Sequence, residues 1–172
     1  MKNRWIILIL LLFSCGCQLN RKISAIDFLE KYGSDSFLEF RNYSFILRGY
    51  NNNKNEPIVG VYDESFSDSS GCHLPFRAII DVRANQIKDT SRTTLNDTCK
   101  INEQLSCQLA LKFIKYNVVY LCVDSIGSVF VKYGTEGKYY DLARFSMTKY
   151  IPSKGWKSIG KNNWFEKIED LK

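Results

Sequence analysis

Cys72 and His73 are neighbours in the chain, and a cysteine beside a histidine is the pairing that arms a thiolate nucleophile. On extended backbone, however, adjacent side chains point to opposite faces, so these two do not reach each other. His73 is the only histidine, which argues against a histidine-rich zinc site, and no Cys-x-x-Cys occurs. G-x-S-x-G elbows and glycine-rich phosphate loops are also missing from the sequence. Asp63, Glu64, Asp81, Asp124 and Asp141 stand near the ends of strand-like runs, and glycoside hydrolysis needs two such carboxyls about 5–9 Å apart. Their spacing singles out no pair. The loop DESFSDSSG offers oxygens at Asp63, Ser65, Ser67 and Asp68 but lacks the glycine and terminal glutamate of an EF-hand, so it reads as a solvated turn. The expected catalytic set is empty, with no metal and no cofactor, and the chain reads as a binding protein before an enzyme, a hydrolase built from carboxylates and His73 being the remaining alternative.

Aromatic residues near the carboxyl end point to binding instead. Trp156, Trp164 and Phe165 share their segment with Lys154, Lys157, Lys161 and Lys167. In a hairpin, alternation places some of these rings on the core and leaves others outside among the lysines, where aromatic anchors suit a protein partner or a sugar face. The competing reading is a tryptophan that closes the core. A ligand- or glycan-binding role would recruit the Asn-rich loop at 51–55 as well.

At the amino end, Lys2 and Arg4 precede the nine-residue apolar run from Trp5 to Phe13, which is too short to cross a bilayer and is followed by small residues. That order is the pattern of a secretory signal. Leu12, Phe13, Ser14 and Cys15 then resemble the lipobox of bacterial lipoproteins, with an aliphatic residue three positions before the cysteine and a small one directly before it. The resemblance implies cleavage after residue 14, a lipid on Cys15 and an acylated amino group, with Cys17 as the alternative site. It further implies a cell-envelope protein held to the membrane by its lipid. Because Gly16 rather than Asp follows Cys15, it implies the periplasmic face of the outer membrane if the host is Gram-negative.

The domains expected are therefore a signal at 1–14, a lipidated tether at 15–23 and one domain at 24–172. With Lys2 and Arg4 removed, the formal charge of +6 falls to about +4. Charges of both signs are interspersed and no block of five like charges occurs, which argues against a nucleic-acid partner. The expected partners are the membrane, through the lipid, and another protein, in an accessory, inhibitor or immunity-type role.

Two stretches argue for helices. Ser24 and Asp27 open a short one stopped by Gly33, and NEQLSCQLALKFIKY, residues 102–116, reads as a long one broken at Asn117. Strand-like runs include YSFILRGY, PIVGVYD, FRAIIDVRA, VVYLCV and SVFVKY, KYYDLARFSMTKYI adds a further apolar-aromatic stretch, and a terminal hairpin turns at 160–163. Residues 85–97 show no strong pattern. The expected fold is α+β: a single domain with a mostly antiparallel sheet of about six to seven strands, the long helix on one face, and the short amino-terminal helix. An oxidising compartment would let disulfides persist. Cys107 lies about 15 Å before Asn117 at helical rise and Cys122 about 17 Å after it at strand rise, which suggests that they pair and leave Cys72 with Cys99.

Overall fold

In the run Tyr43–Tyr50, Phe45 is wholly buried and Leu47 packs against the core, whereas Ile46 is half-buried and Arg48 exposed, the period of two that a strand buried on one face requires. The same alternation recurs along the chain and builds β1 (Tyr43–Tyr50), β2 (Pro57–Asp63), β3 (Phe76–Asp81), β4 (Gln86–Arg92), β5 (Tyr120–Val123), β6 (Val129–Thr135), β7 (Lys138–Arg144), β8 (Trp156–Ser158) and β9 (Trp164–Lys167). This computed structural model describes residues 25–53, 55–65, 76–92, 102–135, 138–147, 151, 154–160 and 162–168. The signal, Cys15, Cys17, Cys72, His73 and Cys99 lie outside the described residues.

All nine strands form one open sheet in the order β4-β3-β2-β1-β5-β6-β7-β9-β8, and every pair of neighbouring strands is antiparallel. Among the described residues the helices are α1 (Ala25–Tyr32), of eight residues, and α2 (Glu103–Ile114), of twelve, with a 3-10 turn at Leu38–Phe40. The expectation of six to seven strands under one long helix is thereby corrected. A twelve-residue helix is about 18 Å long, whereas nine strands span about 38 Å across the sheet, so α2 cannot cover it alone. It packs on β2, β3 and β4 and, through Phe113 on Phe45, on β1, and the other half of the same face is covered by α1 and the segment that follows it. β4 was not foreseen: QIKDTSR runs along the sheet's edge, exposed but for Ile87, so no burial stamps a pattern on it.

α2 forms because Ser106, Leu109, Ala110 and Phe113 recur on one stripe, which is the buried one. Asn102 caps it, its side chain accepting from the amide of Leu105 at 3.0 Å. Asn117, at φ +52°, turns the chain out of the helix and into β5. α1 ends at Gly33, where a Cβ would come within 2.4 Å of the Leu29 carbonyl oxygen, so no side chain fits without a shift. The Gly33 amide donates to that same oxygen at 2.9 Å.

The core between the helices and the sheet is aromatic. Phe113 stacks on Phe45, Phe40 meets Phe45 edge-on, and Tyr116 contacts Phe37, Phe40 and Tyr32. Phe28 of α1 meets Trp164 of β9 edge-on at 5.8 Å. Phe37 is fully buried at φ +57°, a conformation that costs a bulky residue energy and persists because its surroundings fix it. Those surroundings include Trp164 and the guanidinium of Arg144.

Candidate functional site: a groove on the bare face of the sheet

The residues of alternate parity face away from the helices. Along the sheet they form two adjacent rows, traced by the strand registers. One runs Ile46, Tyr120, Lys132, Asp141, and ends with Lys167 opposite Trp156. The other runs Ser44, Cys122, Phe130, Ala143, Phe165, Ser158. No described helix packs on this face. A groove of about 400 Å³ opens there, lined by Ile46, Val119, Tyr120, Phe130, Trp156 and the charged trio Lys132, Asp141 and Lys167, with backbone from Val131 and Leu142 at its floor.

The apolar wall is held by a small second core. Phe145 meets Trp156 edge-on at 5.7 Å, lies 5.7 Å from Phe165 and meets Phe130 edge-on at 6.0 Å. Trp156 is thus fixed at one rim with part of its surface open. Lys132 pairs with Asp141 at 3.5 Å. Lys167, exposed on the next strand, has no carboxylate partner among the described residues, so the trio carries one uncompensated positive charge. Tyr120 is half-buried, and burial, helped by the Cys122 thiol beside it, pushes its phenol above the usual range.

The three aromatic residues singled out from the sequence part company here. Trp156 and Phe165 are on the bare face. Trp164 faces the helices with 0% exposure, its indole N–H donating to the Gly33 carbonyl at 2.9 Å, so it closes the core and does not meet a partner. The Asn-rich loop joins β1 to β2, five strand positions from β8, and spends its amides on its own turn: Asn51 donates to Glu56 and Asn53 accepts from the Asn55 amide. It and Trp156 do not form one site.

The expected bridge between Cys107 and Cys122 is also corrected, for both are free thiols. Leu121 and Val123 turn toward α2, so Cys122 between them projects from the opposite face, while Cys107 packs against the helix-side core. The carboxylates near strand ends build turns and pairs: Asp63 accepts from the Ser65 amide, Asp81 from those of Arg83 and Ala84, Asp124 from those of Ile126 and Ser128. Glu64 accepts from the buried Ser44 hydroxyl at 2.5 Å. Among the described residues no group of three or more histidine, cysteine or carboxylate side chains is placed to hold a metal.

Lys132, Tyr120, Phe130 and Ile46 were not singled out from the sequence. The signal for two of them was present in VFVKY, where burying Val129, Val131 and Tyr133 must send Phe130 and Lys132 outward. Compared with family models, with curated proteins and with solved structures, the chain matches none.

Proposed function

We propose that this is a lipid-anchored, non-catalytic binding protein of the cell envelope, and that it holds a small, largely apolar molecule in the groove on the bare face of its sheet. One observation carries the binding site: a half-open apolar groove of small-molecule size, with a fixed tryptophan at its rim and a few converging charged groups. The anchor rests on the Leu12-Phe13-Ser14-Cys15 spelling, with Cys17 as the alternative. In this reading the anchor holds the domain at a membrane, where apolar metabolites concentrate.

A thermal-shift screen tests the site. A ligand selective for the folded state, present at 100 times its Kd, adds about 2.7 kcal/mol of stability and raises the melting point. The shift should vanish in Trp156→Ala and persist in a variant of the distant Asn51. A ligand whose shift is indifferent to Trp156 would place binding elsewhere. The anchor has its own test, since Cys15→Ser should free the protein from membranes or block its processing.

A second reading, a protein partner on the same face, is supported by Tyr139. It shares the outward parity of Asp141 and leaves 47% of its surface exposed, extending the apolar area past the groove. A partner whose binding needed Tyr139 as much as Trp156 would favour this reading.

A further inference from the structure

We infer that the molecule held in the groove is a monoanionic amphiphile, an alkyl chain or flat apolar body ending in a single carboxylate, with the carboxylate on Lys167. This rests on the groove reading above and adds the charge and shape of its occupant.

The argument is one of complementarity along a single row of side chains. Tyr120, Lys132 and Asp141 stand in register across β5, β6 and β7, and Lys167 stands opposite Trp156 across β9 and β8, one residue beyond the Leu142–Glu166 pair that joins β7 to β9. Asp141 pairs with Lys132 at 3.5 Å, and Lys167 lines the same groove. Among the described residues Lys167 has no carboxylate partner, and it shares the groove with Trp156 and an apolar wall made by Ile46, Val119 and Phe130. A dianion would bring two charges where one is uncompensated. A cation would meet two lysines against one carboxylate. A neutral apolar body would fill the wall and leave Lys167 unmatched. One negative charge at the end of an apolar body satisfies both the wall and the cation.

The test uses the full chain in lipid nanodiscs and three probes of equal length: 8-bromooctanoate, 8-bromooctanol and 8-bromooctyltrimethylammonium. A bromoalkyl chain quenches tryptophan only at contact, and the same titration on Trp156→Phe supplies the background from the other tryptophans and from partition into lipid. The expected result is quenching of Trp156 by the carboxylate at about one-tenth the concentration the alcohol needs, the scale of one charge-assisted hydrogen bond. Lys167→Met should erase that preference and leave the alcohol's curve in place, while Lys167→Arg should keep it. Equal quenching by all three probes, preference for the ammonium probe, or a carboxylate preference that survives in Lys167→Met would overturn the anionic assignment and leave the groove reading standing. If no probe quenches Trp156 above background, the groove reading itself falls, and this inference with it.

Discussion

The guanidinium of Arg144 lies over the Trp164 ring, 5.3 Å from its centroid, joining the end of β7 to the first residue of β9 on the helix side of the sheet. Phe37 lies at 5.2 Å from the same group, and Arg144 donates to the carbonyls of Gly33, Asp35 and Ser36, fastening the segment after α1 onto the sheet. Replacing it by an apolar residue of similar length takes the guanidinium from the carbonyls of Asp35 and Ser36, leaves Gly33 with the Trp164 indole, and removes one of the groups that fix Phe37 in its left-handed conformation. Arg144→Met should lose about 2–3 kcal/mol of unfolding free energy, read from urea melts. Arg144→Lys should recover little, since an ammonium lacks the planar fork. Full stability in Arg144→Met would show that the fastening is idle.

The two terminal tryptophans should separate cleanly. Trp164→Ala empties a fully enclosed site and should cost about 3–5 kcal/mol. Trp156→Ala loses an edge-on contact with Phe145 and partial burial, a matter of about 1–2 kcal/mol, yet should abolish ligand-induced stabilisation. Equal stability losses with no difference in binding would contradict the division of the hairpin into a core face and a working face.

Alkaline stability follows from three phenols. Burial pushes Tyr116, Tyr120 and Tyr133 above the usual value of 10.0, with Asp35 beside Tyr116 and Glu166 beside Tyr133 adding to the effect. The unfolded chain therefore releases these protons first. Their contribution is complete below about pH 10 and declines as pH rises from there toward the folded-state values. Tyr116→Phe should be slightly less stable at neutral pH, having lost its hydrogen bond to Asp35, and its decline above pH 10 should be shallower than that of the parent. Urea midpoints measured across this range check the sign; stability that rises with alkali would refute it.

Both described thiols should be slow nucleophiles. Burial raises Cys107, with Glu103 contributing, and burial raises Cys122 against the opposing hydrogen bond from Tyr120. Alkylation near neutral pH is expected to be slow in the native protein, to quicken with rising pH and to become rapid on unfolding. A non-reducing peptide map should recover the Cys107 and Cys122 peptides separately. A linked pair would mean that the sheet does not divide these residues between its faces.

Much of the local structure was legible because it is written in neighbouring residues. Asn117 marked the end of the helical region, and the terminal turn declared itself through Gly160, Asn162 and Asn163, all of which adopt positive φ. The placement of Cys122 was legible too, since alternation in YLCV forbids it from sharing a face with Leu121; matching helix and strand lengths alone led to the wrong pairing. β4 was not legible, because an edge strand with one half-buried residue obeys no burial pattern. Nor was the groove. Phe130, Lys132, Asp141, Lys167 and Trp156 come together only when β9 inserts between β7 and β8, and strand order is decided by packing across the sheet rather than by any short stretch of chain.

That strand order also bears on how the molecule comes into being. Only two pairings, β1 with β5 and β7 with β9, join strands that do not follow one another in the chain. The first four strands are complete by Arg92, yet the neighbour for the other edge of β1, and the helix that covers Phe45, lie beyond Asn102. A chain synthesised amino end first therefore passes through a stage of half a sheet, with one wet aromatic face and an open edge, the combination that recruits other chains. Until β5 arrives, β1 keeps an edge on which another chain could add a strand.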